Sequence, residues 1–153
     1  MVYSNETARL YHYLPTQDEI YRVPVLIVMS PVAKGYILDL AKGQSLIEYL
    51  VMQGHDVYML EWAAPRRDQS HLSLDNYVND LLGGCIEAVQ RDSGETEVTL
   101  VGYCMGGMLS LMYTALNPTG AVRNLACFTT PVNCDGMELY KRWMTAKSFD
   151  IDR

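Results

Sequence analysis

Apolar and polar positions along the chain follow two different periods, and these predict strands and helices in alternation. Nearly continuous apolar runs are typical of strands buried on both faces, and an i, i+3, i+4 spacing is typical of helices that face a core. The predicted strands are Ala8–Tyr13, Pro24–Met29, His55–Leu60, Glu97–Val101 and Asn124–Thr130. The predicted helices are Ser45–Met52, Leu74–Arg91 with Ser73 as N-cap, and Met105–Leu116. This order predicts an α/β fold with a mostly parallel sheet and helices on both faces.

Two segments depart from the simple alternation. Gly83 and Gly84 lie inside the helix predicted for Leu74–Arg91, where glycine lowers helix propensity. We therefore expect either close backbone packing at that point or a locally weak helix. Residues 134–153 are polar and have a helical pattern that predicts the start of a further unit after the core of residues 1–133.

Composition excludes several classes of protein. The 153 residues suffice for one domain with a core, and 49% of them are hydrophobic and 20% charged. The net charge of −6 argues against a nucleic-acid surface, which needs clustered Lys and Arg. No apolar run reaches the roughly 18 residues of a membrane span, and the N-terminal stretch has no basic region leading into an apolar one. We expect a cytoplasmic protein.

The four cysteines differ in their surroundings. Cys85, Cys104, Cys127 and Cys134 form no C-x-x-C pair, and the three histidines lie far from them in sequence, so no metal site is predicted. Disulfides are not expected in the cytoplasm. Cys85 and Cys127 fall in apolar patterns typical of core positions. Cys104 is the remaining cysteine, and its surroundings in the sequence suggest a reactive thiol.

Cys104 lies between a predicted strand and a predicted helix, in the run Gly102-Tyr103-Cys104-Met105-Gly106-Gly107. This is the nucleophile-elbow pattern G-x-S-x-G with sulfur in place of oxygen. We expect a positive φ at the nucleophile, with the three glycines removing side chains that would clash. The helix N-terminus favours the thiolate, and the Met105 amide would point toward an oxyanion. The alternative is a tight turn with an inert buried cysteine.

The chain also resembles the catalytic core of the polyhydroxyalkanoate synthases. The shared motifs lie along nearly the whole chain. They are Tyr36-Ile37-Leu38-Asp39-Leu40, Gly54-His55-Asp56-Val57-Tyr58, Glu61-Trp62-Ala63-Ala64-Pro65 with Glu for the family's Asp, Leu74-Asp75-Asn76-Tyr77, Thr130-Pro131-Val132 and Phe149-Asp150-Ile151-Asp152. The family usually has Asn where this chain has Ala33. The resemblance implies an α/β-hydrolase fold in which residues 134–153 begin the cap insertion.

The resemblance implies an acyltransferase that polymerises (R)-3-hydroxyacyl-coenzyme A thioesters into polyhydroxyalkanoate. Cys104 would carry the growing chain as a thioester, and the amides of Met105 and Val32 would form the oxyanion hole. The substrate is itself a coenzyme A thioester, and no further cofactor is implied. The implied partners are the surface of a polyester granule and either a second synthase subunit or a second copy of the chain.

The same resemblance implies that this chain is incomplete. The family's catalytic aspartate and histidine follow the nucleophile, whereas no histidine occurs after His71, and Asp135, Asp150 and Asp152 lie in the cap region. The last strands of the sheet would be missing as well. We therefore expect the N-terminal half of an α/β-hydrolase core, inactive when it stands alone.

Two other functions remain open at this stage. A cysteine hydrolase of the dienelactone-hydrolase type shares Gly-x-Cys-x-Gly-Gly, and would use water as the acyl acceptor. A non-catalytic interaction module is the second, because no catalytic base is evident. His55 and His71 are interpreted as surface residues rather than replacement bases. Asp39 matches a position of the family, and both a helix- or loop-capping role and a catalytic role stay open for it. Trp62 is interpreted as a packing or interface residue rather than a substrate contact.

Overall fold

The computed structural model describes residues 1–64, 66–133 and 135–145. The strands in this part of the chain are β1 (Tyr3–Ser4), β2 (Ala8–Tyr13), β3 (Val25–Val28), β4 (Asp39–Ala41), β5 (Gln44–Ser45), β6 (Val57–Trp62), β7 (Val98–Tyr103) and β8 (Val122–Phe128). The α-helices are α1 (Leu46–Met52), α2 (Gly83–Ser93), α3 (Met105–Leu116) and α4 (Glu138–Thr145). The predicted alternation of strands and helices is confirmed.

Six strands form one sheet in the order β1-β2-β6-β3-β7-β8. The pairs β6–β3, β3–β7 and β7–β8 are parallel, whereas β1 and β2 join the sheet antiparallel to their neighbours. Strands β4 and β5 form a separate small hairpin. All four residues of β3 are buried, so both faces of the sheet are covered at its centre. The predicted mostly parallel sheet with helices on both faces is confirmed.

The hydrophobic core lies around the central strands. Its fully buried large side chains include Leu26, Ile27, Met59 and Leu60, which come from β3 and β6. Each such side chain contributes about 1.5–3 kcal/mol to folding through burial. The carboxyl ends of β3, β6 and β7 therefore project from a rigid base, which is where loops in such sheets carry function.

Strand boundaries differ from the predicted ones by one or two residues. The strand predicted as His55–Leu60 is β6 (Val57–Trp62), and the one predicted as Asn124–Thr130 is β8 (Val122–Phe128). The ends of a strand depend on which partner residues it pairs with, and local sequence does not contain that information. The consequence for the site is that Glu61 and Trp62 belong to the sheet itself.

The helix predicted for Leu74–Arg91 contains a π-helical segment at Asn76–Leu82, which continues directly into α2. Ser73 accepts a hydrogen bond from the amide of Asn76, and the side chain of Asn76 accepts one from the amide of Ser73, which confirms the N-cap. Leu74, the residue after the N-cap, is exposed.

Of the two explanations expected for the glycines inside this helix, close packing agrees with the contacts of Gly83. Gly83 lies where the π-helical segment ends, and a Cβ there would come within 3.3 Å of the Tyr113 ring of α3. Close packing between two helices therefore explains the glycine.

Little of the segment predicted as the start of a cap can be compared with the structure. Helix α4 lies inside it, in agreement with the predicted helical pattern. Cys134 and residues 146–153 lie outside the described residues, as does Pro65 of the motif that begins at Glu61. The division at residue 133 stays a prediction.

Candidate active site

Cys104 occupies a backbone conformation that a non-glycine residue rarely adopts, with φ 54° and ψ −121°. It is the single residue between the end of β7 and the start of α3. Such conformations persist only where the surrounding structure enforces them, and they cluster at active sites. The side chain is half-buried at the N-terminus of α3.

The three glycines of the motif are each required by a close contact. A Cβ on Gly102 would lie 2.7 Å from the amide nitrogen of Gly107, and one on Gly107 would overlap the side chain of Thr130. A Cβ on Gly106 would meet the carbonyl oxygens of Val28 and Met29, the latter at 2.7 Å. The first turn of α3 thus packs directly on the end of β3.

The end of β8 completes the support of the turn. The amide of Cys104 donates a 2.9 Å hydrogen bond to the carbonyl oxygen of Phe128. The hydroxyl of Thr129 donates to the same carbonyl at 2.8 Å, and Thr129 itself has φ 48°. A β-branched residue at positive φ is strained, at a cost of order 1–3 kcal/mol. Two consecutive strand ends, β7 and β8, therefore both carry strained backbone beside the thiol.

The two amides predicted to form an oxyanion hole lie on two neighbouring segments. Met105 is the first residue of α3, so its N–H has no acceptor within the helix. Val32 lies in the loop after β3 with its side chain 81% exposed, and its amide donates only a long 3.4 Å bond to the hydroxyl of Ser30. Because Gly106 contacts the carbonyl of Met29, this loop starts directly beside the first turn of α3. The oxyanion role of both amides stays a prediction.

Two side chains at the end of β6 contact the loop after β3. The indole Nε1 of Trp62 donates a 2.6 Å hydrogen bond to the carbonyl oxygen of Met29. A carboxylate oxygen of Glu61 accepts a 2.7 Å bond from the amide of Gly35. The interpretation of Trp62 as a packing residue is confirmed, since it is 4% exposed and its ring lies 5.2 Å from that of Tyr77.

The other described cysteines lie in different environments. Cys85 is buried, as predicted, and burial raises the pKa of its thiol to about 12, so it remains protonated at neutral pH. Cys127 was predicted to be a core residue, and that prediction is wrong. It is exposed because β8 is the outer strand of the sheet and nothing in the described residues covers it.

The histidines are not arranged as bases for Cys104. His12 lies between Asp56, 2.7 Å from Nε2, and Asp92, 3.0 Å from Nδ1. His12 pairs with Tyr58 near the start of β6, at the end of the sheet opposite Cys104. The hydrogen bonds of the described residues join no histidine to Cys104.

His55 and His71 have local partners. His55 stacks on Tyr21 with 4.7 Å between ring centroids and comes just before β6, also at the far end of the sheet. His71 is exposed and bonds the carbonyl of Asp68 at 2.9 Å. The interpretation as a surface residue holds for His71, whereas His55 is half-buried against Tyr21.

The fold and the elbow define the class of protein. A family model described as alpha/beta hydrolase fold matches residues 35–144, so this chain belongs to the α/β-hydrolase fold family. A second model, described as the N-terminus of poly-beta-hydroxybutyrate polymerase (PhaC), matches residues 1–50. The motif-based resemblance to these polymerases is thereby supported in the N-terminal third.

Curated relatives extend the resemblance over the rest of the chain. The poly(3-hydroxyalkanoate) polymerase subunit PhaC of Haloferax mediterranei is 43% identical over 125 residues, which are 82% of this chain and 25% of that protein. The polymerase subunit of Synechocystis sp. is 36% identical over 156 residues, covering 99% of this chain and 41% of that protein. The recognised resemblance is confirmed, and the chain spans less than half the length of these relatives.

Solved structures support the fold. A carboxylesterase structure from Nitrososphaera gargenis superposes with a TM-score of 0.59 over 94% of this chain and 50% of its own. Its sequence identity of 16% means that the likeness shows the fold alone. Among the described residues, every helix is too short or too polar to cross a bilayer.

Proposed function

We propose that this chain forms the part of a polyhydroxyalkanoate synthase that carries the nucleophile, and that Cys104 accepts the acyl group of (R)-3-hydroxyacyl-coenzyme A. The observation that carries the proposal is a cysteine in a strained elbow turn at a helix N-terminus, in a chain whose relatives are named poly(3-hydroxyalkanoate) polymerases.

Acyl transfer between thioesters suits a cysteine nucleophile such as Cys104. The thiolate of Cys104 attacks the thioester carbonyl, a C–S bond forms to the protein, and the C–S bond to coenzyme A breaks as its thiolate leaves and takes up a proton. The exchange of one thioester for another is nearly balanced in energy, and thiolate is both nucleophile and leaving group. The hydroxyl of a bound 3-hydroxyacyl group then attacks the Cys104 thioester, which lengthens the polyester by one unit and frees the thiol.

The base for these steps is proposed to come from a histidine oriented by an aspartate, as in other Ser and Cys acyl-transfer sites. The three histidines of this chain engage other partners. We therefore propose that the 153 residues alone show essentially no turnover, and that the complete protein supplies both groups.

The proposal extends to partners and location. The relatives are named polymerase subunits, which supports a second synthase subunit or a second copy of the chain as partner. Apolar side chains are exposed on segments that follow the carboxyl ends of the strands, including Val32, Met105 and Val132. Such a surface suits a growing polyester and the granule it forms in the cytoplasm.

The decisive test replaces Cys104 by alanine in the full-length protein and follows coenzyme A release from (R)-3-hydroxybutyryl-coenzyme A. We expect release to fall at least 1,000-fold, since removal of a catalytic nucleophile costs that much or more. The matched control is Cys127→Ala, an exposed cysteine that pairs in the sheet with Gly102 and should leave the rate within about twofold.

The products of the same assay separate the competing functions. Polymer together with released coenzyme A supports the synthase. Free 3-hydroxybutyrate as the sole product, lost on Cys104→Ala, would replace it by a cysteine hydrolase that uses water. No release by the full-length protein, or unchanged release by Cys104→Ala, would contradict the cysteine mechanism and favour a non-catalytic module.

A further inference from the structure

The loop that carries Val32 is attached at both ends to the last two residues of β6. At its start, the indole of Trp62 donates to the carbonyl of Met29 at 2.6 Å. At its end, the carboxylate of Glu61 accepts from the amide of Gly35 at 2.7 Å. The segment from Ser30 to Lys34 therefore lies between two hydrogen bonds from adjacent residues of one strand.

The contact at Met29 links the two predicted oxyanion donors. The carbonyl of Met29 receives the indole N–H and is, with the carbonyl of Val28, one of the two backbone oxygens against which Gly106 packs. Gly106 follows Met105, and Met29 is three residues before Val32. Two consecutive carbonyls, of Val28 and Met29, thus place the first turn of α3 beside the loop, and Trp62 bonds the one that lies nearer Val32.

The contact at Gly35 is also tight. Gly35 is buried, and a Cβ there would lie 2.5 Å from the sulfur of Met59 and would overlap the carboxylate of Glu61. A hydrogen bond to an ionised acceptor is roughly twice as strong as a neutral one. The end of the loop therefore lies tightly against β6, where a larger residue would have to displace the side chains of Met59 and Glu61.

The middle of the loop is held more weakly. The amide of Ala33 donates to the carbonyl of Ser30 at 3.0 Å, and the amide of Val32 has only its 3.4 Å bond to the Ser30 hydroxyl. The Val32 amide is thus free to bind an incoming oxygen, but its position depends on the two anchored ends.

We propose that Trp62 and Glu61 are positioning residues that align the Val32 amide with the Met105 amide and so control the acylation of Cys104. This inference rests on the proposed acyl transfer. Neither side chain touches the reacting atoms. They act through the Met29 carbonyl and the Gly35 amide.

Two reactions at one sulfur separate this role from general damage to the site. Acylation by (R)-3-hydroxybutyryl-coenzyme A passes through a tetrahedral oxyanion that the amides would stabilise. Alkylation by iodoacetamide forms no oxyanion. In the full-length protein, kcat/KM for coenzyme A release reports the first, and the modification rate of the Cys104 peptide by mass spectrometry reports the second.

Trp62→Phe removes the N–H and keeps most of the ring. We expect kcat/KM for release to fall about 10- to 100-fold, mainly through kcat, because a misplaced oxyanion donor costs up to about that much. The alkylation rate should stay within twofold. Glu61→Gln keeps an acceptor oxygen but not the charge, so we expect a smaller fall of the same kind.

Trp143→Phe is the matched control, since Trp143 is 53% exposed in α4, and both rates should be unchanged. Equal falls in acylation and alkylation, or no fall in either variant, would overturn the inference. If circular dichroism shows that Trp62→Phe does not fold, the acylation and alkylation rates of Glu61→Gln alone test the inference. Loss of the proposed function looks different, because the wild-type protein would then release no coenzyme A or Cys104→Ala would release it unchanged.

Discussion

At the scale of single residues, the shape of the site depends mainly on glycines, which have no side chain to prevent close packing. Gly102, Gly106 and Gly107 allow β7, α3 and the ends of β3 and β8 to meet around Cys104. The strain at Cys104 and Thr129 is held by hydrogen bonds to one carbonyl, that of Phe128. The thiol therefore sits on a turn with little freedom to relax.

Gly106→Ala tests this most directly. The added methyl would meet two backbone carbonyls that cannot move without disturbing β3, so we expect a loss of stability above about 3 kcal/mol, measured by urea unfolding. Gly136→Ala is the control, because nothing lies within 4 Å of its Cβ position, and it should change stability by less than about 0.5 kcal/mol. Similar losses in both variants would mean that the close approach at Gly106 is not needed.

Much of the turn could be predicted from the sequence, because its glycines, its cysteine and the helix that follows are adjacent in the chain. Helix α3 was predicted to the residue as Met105–Leu116. The anchors at Glu61 and Trp62 could not be predicted in the same way. Their partners, Gly35 and Met29, lie 26 and 33 residues away, and only the fold brings them together.

At the scale of elements, the accuracy of prediction follows the range of the interactions that define each element. Helix ends were predicted where local capping sets them, as at Ser73. Strand ends moved by one or two residues, because pairing with a distant strand sets them. The π-helical segment at Asn76–Leu82, which ends where Gly83 packs against Tyr113, was missed, because the apolar spacing does not distinguish it from an α-helix.

The outer strand β8 predicts how these 153 residues behave by themselves. Ala126, Cys127 and Phe128 are exposed there, and an uncovered strand edge offers unpaired backbone groups to other chains. We expect aggregates in light scattering. Ala126→Lys should reduce them, because a lysine on an edge strand blocks further pairing.

Leu14→Lys is the matched control for that experiment. It adds the same charge at an exposed apolar position outside β8, and should leave the aggregates unchanged. A monodisperse monomer without substitution, or equal improvement by both lysines, would show that the edge of β8 is not the cause.

At the scale of the whole molecule, a buried thiol and a half-buried phenol favour the protonated state and make the fold sensitive to alkali. Burial raises the pKa of Cys85 from 9.0 to about 12. Burial, and then the neighbouring Asp39 carboxylate, raises the pKa of Tyr13 from 10.0 to about 12. The unfolded chain releases these protons at lower pH than the folded one. The contribution of these two protonated groups to the free energy of unfolding is therefore fully present below about pH 9 and is lost as pH rises toward 12.

Cys85→Ala isolates part of this effect. The variant should be about 1 kcal/mol less stable at pH 7, because it loses a buried sulfur, yet its stability should fall less between pH 9 and pH 11. Denaturant unfolding of the full-length protein at a series of pH values measures both. Cys127→Ala, at an exposed site, should follow the wild-type curve. Parallel curves for Cys85→Ala and the wild type would contradict the role of the buried thiol.

The contacts that shape the turn at Cys104 come from segments between Val28 and Thr130. A ribosome makes these segments in order, and domains can begin to fold as they emerge. The turn can therefore take its shape once Thr130 has left the exit tunnel, while the residues that follow it are still inside the tunnel or not yet joined to the chain. A nascent chain would then present a positioned thiol early in its synthesis, at a stage when cellular electrophiles could already reach it.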